Sequence, residues 1–132
     1  MIYFLDLEEL VKSVNTNPDC PGSGYHELKE NTDLTLEFEG KSDQGTGCLF
    51  TFYAPNARGI KIQLDVFDLH DEDYMKLYAS PMRYGHLIKY TQNTNTQTEK
   101  YLATRFLWIH WHDDKTGGDI TKWKITLSPY RT

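Results

Sequence analysis

Positive charge is the minority in this chain: 14 lysines and arginines face 19 aspartates and glutamates, a formal net charge of −5. A surface of that balance repels a phosphate backbone, so nonspecific attachment to nucleic acid is not expected. Long apolar runs are missing as well. Nothing approaches the roughly 18 consecutive apolar residues that a membrane-crossing helix requires. Residues 1–9 do not read as a signal peptide, because no basic residue precedes the apolar stretch and Asp6, Glu8 and Glu9 interrupt it. The sequence has no Gly-x-Ser-x-Gly, phosphate loop, His-Glu-x-x-His or Cys–His nucleophile pattern, and catalysis is therefore not expected. Asn-x-Ser/Thr sequons are also missing, so glycosylation gives no guide to compartment. Cysteine is down to two residues, Cys20 and Cys48. They suit one disulfide or two free thiols, and do not settle the redox compartment alone.

What is present is an ordinary globular composition, 39% hydrophobic and 25% charged, enough to bury one core in a chain of single-domain length. Helical spacing is clear once, over residues 4–14, where Leu7, Leu10, Val11 and Val14 share a face. Asp6, Glu8 and Glu9 near its start and Lys12 near its end suit the helix dipole. Pro18, Pro21 and Gly22 then break the pattern. A helical extension over residues 1–18 and a domain over residues 19–132 are expected.

Beyond that point the period is two. Leu34, Leu36 and Phe38 alternate with Thr35, Glu37 and Glu39. Phe50, Phe52 and Ala54 follow, and then Ile60, Ile62, Leu64 and Val66 alternate with Lys61, Gln63 and Asp65. Met75 and Leu77, then Leu107, Ile109 and Trp111, then Trp123, Ile125 and Leu127 repeat the pattern. Short strands separated by turn residues predict an all-β sandwich or barrel. The phase places Phe50, Phe52, Ile62, Leu64, Met75, Leu77, Ile109, Trp111, Trp123 and Ile125 in a shared core. Tyr53, Tyr74, Tyr78 and Trp108 fall on the outward phase, where the tyrosines are expected as edge-strand padding. Residues 92–98 are polar and of low complexity and are expected to form an exposed loop.

An ordered set of segments over roughly residues 47–128 resembles the CUB domain. Cys48-Leu49-Phe50-Thr51-Phe52-Tyr53-Ala54-Pro55 is similar to the family's cysteine, alternating apolar residues and Ala-Pro. Gly59 to Leu69 is similar to the strand ending in Phe-x-Leu-Glu, and Asp73-Tyr74-Met75-Lys76-Leu77-Tyr78 resembles the Asp-Tyr strand. Leu107 to Thr116 resembles the Leu-x-Ile-x-Phe-x-Ser-Asp strand, and Trp123 to Leu127 the closing Phe-x-Ala-x-Tyr. The resemblance implies an antiparallel β-sandwich of CUB-like jelly-roll type, secreted, and built to bind rather than to transform. The spacing of Cys20 and Cys48 resembles the family's first disulfide; its second is absent, with Glu72 where the first cysteine of that pair would stand.

Many CUB domains hold calcium at one end of the sandwich. The resemblance carries two ligands onto Asp73 and Asp114, but His70 replaces the expected Glu. Calcium prefers six to eight hard oxygens, so His70 is a poor substitute, and Asp71, Glu72 or Asp113 would have to compensate. The alternative is a solvated acidic loop without an ion. With or without calcium, Asp68, Asp71, Glu72, Asp73, Asp113, Asp114 and Asp119 would gather there and favour a Lys or Arg of a protein partner, unless they serve solubility alone. His110 and His112 fall on one face about 7 Å apart, with Asp114 next in register. That pair could hold zinc; an idle, exposed pair is the simpler expectation. Trp108 shares their face and, if uncovered, would anchor a partner or stack on a sugar ring, which makes a carbohydrate-binding sandwich the second functional class. Cover by other parts of the chain is the alternative.

Overall fold

The computed structural model describes residues 15, 19–41, 47–69, 73–80, 85, 87–91, 94, 99–112 and 120–131. The expected helix over residues 4–14, and all of the extension over residues 1–18 except Asn15, lie outside the described residues. Of the expected polar loop over residues 92–98, only Thr94 is described. No helix occurs among the described residues, and so none there is long and apolar enough to cross a membrane.

The described chain forms nine strands: β1 (Tyr25–Glu27), β2 (Leu34–Lys41), β3 (Gly47–Tyr53), β4 (Gly59–Asp68), β5 (Tyr74–Tyr78), β6 (Ile88–Tyr90), β7 (Glu99–Leu102), β8 (Phe106–His112) and β9 (Ile120–Tyr130). They make two sheets, one ordered β1-β3-β8-β5-β6 and the other β2-β9-β4-β7. Every pairing is antiparallel but one: β1 runs parallel to β3, with Tyr25 opposite Thr51. The antiparallel expectation is corrected at this edge. A parallel partner cannot be reached by a tight hairpin, and here the chain between β1 and β3 crosses to the other sheet to form β2.

The core lies between the sheets, where period-two alternation places it. All ten core residues named from the sequence are at most 1% exposed. Trp123 is its hub, with Phe38 stacked at 6.0 Å, Trp111 edge-on at 6.0 Å and Phe50 edge-on at 6.1 Å. Such pairs add to the burial of large apolar area. The phase fails once. Register with β9 shifts between Leu64 and Val66, a bulge that adds a residue to β4 and reverses its faces. Phe67 and Leu69 therefore enter the core, and Val66 is only half-buried.

A disulfide joins Cys20 to Cys48, with Cα atoms 5.7 Å apart, inside the ordinary range for such bonds. It ties the segment entering β1 to the start of β3. Beside it, Thr51 donates its backbone N–H to Gly24 O and Leu28 donates to Tyr53 O, while the Asn15 side chain accepts from Leu49 N.

Candidate functional site

Strand register gathers one end of the sandwich. In the first sheet Gly47 and Tyr74 both lie opposite His112; in the second, Lys41 lies opposite Ile120 and Asp68 opposite Lys122. The connections β2–β3, β4–β5 and β8–β9 therefore all leave from this end. Their sequences contribute Asp43, Asp71, Glu72, Asp73, Asp113, Asp114 and Asp119. Of the residues nominated for the site, His70, Asp71, Glu72, Asp113 and Asp114 lie outside the described residues.

Asp73 is described, and it points inward at 2% exposure. Its Oδ2 accepts a hydrogen bond from Thr121 Oγ1 at 2.8 Å, and Thr121 is fully buried. Asp73 precedes β5 in one sheet and Thr121 sits on β9 in the other, so this bond ties the two sheets together at the end where β4 stops and β9 starts. A carboxylate is kept in such a place only when its desolvation is offset by donors. Thr121 was not nominated from the sequence. Its inward phase ahead of Trp123 was the signal available, since a threonine in step with a core stripe needs a polar partner.

The outer face of the five-stranded sheet is lined by aromatic and basic side chains. Tyr53 stacks on Phe106 at 4.3 Å, and Phe106 on Trp108 at 5.8 Å. Trp108 is 4% exposed and packs with Tyr78, Tyr25 and Phe106. The outward phase assigned to Trp108 and Tyr78 is correct, yet both are covered. Tyr78 is not edge padding, because β6 continues the sheet beyond β5. Nearer the acidic end, Tyr74 stacks on His112 at 4.6 Å, and the His110 and His112 rings lie 6.2 Å apart. Lys76 and Lys89 hold their ammonium groups 4.7 and 5.1 Å from the centre of the Tyr74 ring. Among the described residues, no group of three His, Cys, Asp or Glu side chains is placed to hold a metal ion.

At the opposite end, a cleft of about 340 Å³ is lined by Leu28, Asn31, Ala54, Asn56 and Pro129, and the exposed Arg131–Glu30 ion pair at 2.9 Å stands beside it. Burial shifts two further titratable groups, the half-buried His26 opposite Phe52 and the buried Tyr90 opposite Met75. Burial pushes the His26 pKa below its ordinary value, against a smaller opposing effect of a hydrogen bond with the Ser23 backbone. Its ring stacks on Phe52 at 5.5 Å. Burial also pushes the Tyr90 hydroxyl up to about 12. No protein-family model matches this chain, and no curated protein matches it.

Proposed function

We propose that this chain is a non-catalytic, extracellular, CUB-like binding module that recognises a basic segment of a protein partner through the acidic end of its sandwich. One observation carries this reading: Asp73, a buried carboxylate tied to Thr121, lies where three acid-bearing connections leave the sheets. A concentrated negative potential steers and retains a Lys or Arg side chain. Calcium is part of the proposal: an ion held by Asp73, Asp114 and neighbouring acids would offset their mutual repulsion, and His70 in place of a carboxylate would leave it weakly held. The disulfide supports an oxidising, extracellular compartment. Trp108 supports a protein partner over a sugar, because a tryptophan at 4% exposure presents no open face for stacking.

The test is calorimetric titration with calcium and with a lysine-rich peptide. Wild type is compared with an Asp73→Asn, Asp114→Asn double variant whose melting curve confirms that it is folded. Calcium heat in the wild type and weakened peptide binding in the variant are expected. No calcium heat removes the ion from the reading, and unchanged peptide binding by the folded variant removes the site.

A further inference from the structure

The two sheets treat lysine differently on their outer faces. On the four-stranded sheet each outward lysine of β9 lies opposite an acid: Lys124 opposite Glu37, and Lys122 between Glu39 and Asp68. Opposite charges facing one another across strands stabilise a sheet, and like charges there do the reverse. On the five-stranded sheet, Lys89 lies opposite Lys76, and Lys76 opposite His110. Two like charges thus face one another across β6 and β5, and an imidazole continues the row on β8. Neither Lys76 nor Lys89 has an ion-pair partner among the described residues. The described acid on this outer face is Glu27, on β1 at the far edge of the sheet. The two ammonium groups instead share the Tyr74 ring, which His112 stacks against. A cation over a ring gains modestly at a wet site and remains open to an anion.

We propose that this lysine row is a binding site for the sulfate groups of a sulfated polysaccharide. The site rests on Lys76, Lys89 and Tyr74, and does not depend on the acidic end. Two ammonium groups facing one another without an ion-pair partner among the described residues cost the folded protein electrostatic energy that an anionic ligand recovers, so charge complementarity selects an anion. The chemistry of the row selects its kind. Lysine is a compact point charge with three donors on a flexible stem, whereas planar carboxylates are best met by the arginine fork, and the row contains no arginine. Two ammonium groups converging over one ring suit a group with three free oxygens, such as a sulfate ester. A phosphodiester offers only two.

The experiment is retention of the folded, disulfide-bonded protein on immobilised dextran sulfate at low and high salt. Unsulfated dextran, polyglutamate and a single-stranded oligonucleotide serve as competitors. Wild type is expected to bind at low salt and elute as salt rises. Lys76→Gln and Lys89→Gln should each weaken binding about fivefold, as an exposed charge contact allows, and the pair together about 25-fold. Unchanged melting temperatures show that these surface changes leave the fold intact. Because Lys89 is exposed on a short strand, its single variant serves even if the pair is unstable. Retention unaltered in the Lys89 variant overturns the proposal. Competition by polyglutamate or the oligonucleotide as strong as by free dextran sulfate overturns the sulfate assignment.

Discussion

Removing the disulfide by Cys20→Ser is expected to cost this domain about 3–4 kcal/mol. The bond closes a loop with a sequence separation of 28, and the chain-entropy relation gives a cross-link of that length about 3–4 kcal/mol at room temperature. The choice of residue isolates that contribution. Cys48 is buried in the core at 2% exposure, so truncating it would add a cavity cost, whereas Cys20 is only partly buried and Cys48 keeps its thiol in place. For a chain of this size the loss corresponds to a fall in melting temperature of about 10–15 °C. The effect should also be local. β1 has three residues and a single partner strand, so once Cys20 is released it is held by its pairing with β3, the packing of Tyr25 and His26 and the burial of Leu28. Urea unfolding of wild type and variant gives the free-energy difference. Hydrogen exchange at the Leu28 and Thr51 amides, which bond across this edge, should show early loss of protection. A difference below about 1 kcal/mol, with both amides still protected, would refute the view that the bond constrains the unfolded chain and pins β1.

His26 has its pKa lowered by burial, so above its unfolded value of 6.5 it is neutral in both states and contributes no pH dependence. As pH falls through 6.5 the unfolded chain takes the proton first, and stability declines until the folded-state value is passed. His26→Phe, which keeps a ring against Phe52, should flatten urea-derived stability between about pH 7 and 5; an unchanged slope would count against it. Thr121→Val preserves shape but takes a donor from the buried Asp73 carboxylate, and should cost about 1.5–3 kcal/mol in the same assay. A loss within a few tenths would mean that this bond does not hold the sheets together.

The sheets are legible where a strand has one wet face and one dry face. In β8, Leu107, Ile109 and Trp111 alternate with Trp108, His110 and His112, and in β9 Trp123, Ile125 and Leu127 alternate with lysine and threonine. Three strands escape this signal for the same reason. Tyr25–Glu27, Ile88–Tyr90 and Glu99–Leu102 are edge strands of three or four residues, too short to show a period and stabilised by pairing with a neighbouring strand. The bulge in β4 is hidden by composition. Val66 continues the apolar series of Ile60, Ile62 and Leu64, and Phe67 beside it is apolar too, so either phase satisfies the pattern. Only pairing with β9, where Phe67 comes opposite Trp123, chooses between them.

The site follows a different logic, because alternation reports which way a side chain points but not what lies above it. Trp108 points outward in the sequence and in the structure, yet it is buried, and Tyr25 and Tyr78, which pack against it beside Phe106, come from strands that the pattern of β8 does not contain. Asp73 shows the converse. Charge suggests water, but its position one step before Tyr74 puts it in phase with Met75 and Leu77, so the phase called for an inward carboxylate. Such a residue is tolerated only with a donor waiting across the core, and Thr121 is that donor, in phase with Trp123 on the facing sheet. Two apparent exceptions to binary patterning thus explain one another once the sheets are stacked. The consequence for binding is specific. A ligand at the acidic end that displaces the Thr121 hydroxyl from Asp73 Oδ2 would loosen the tie between the sheets, whereas one that engages the other acids need not.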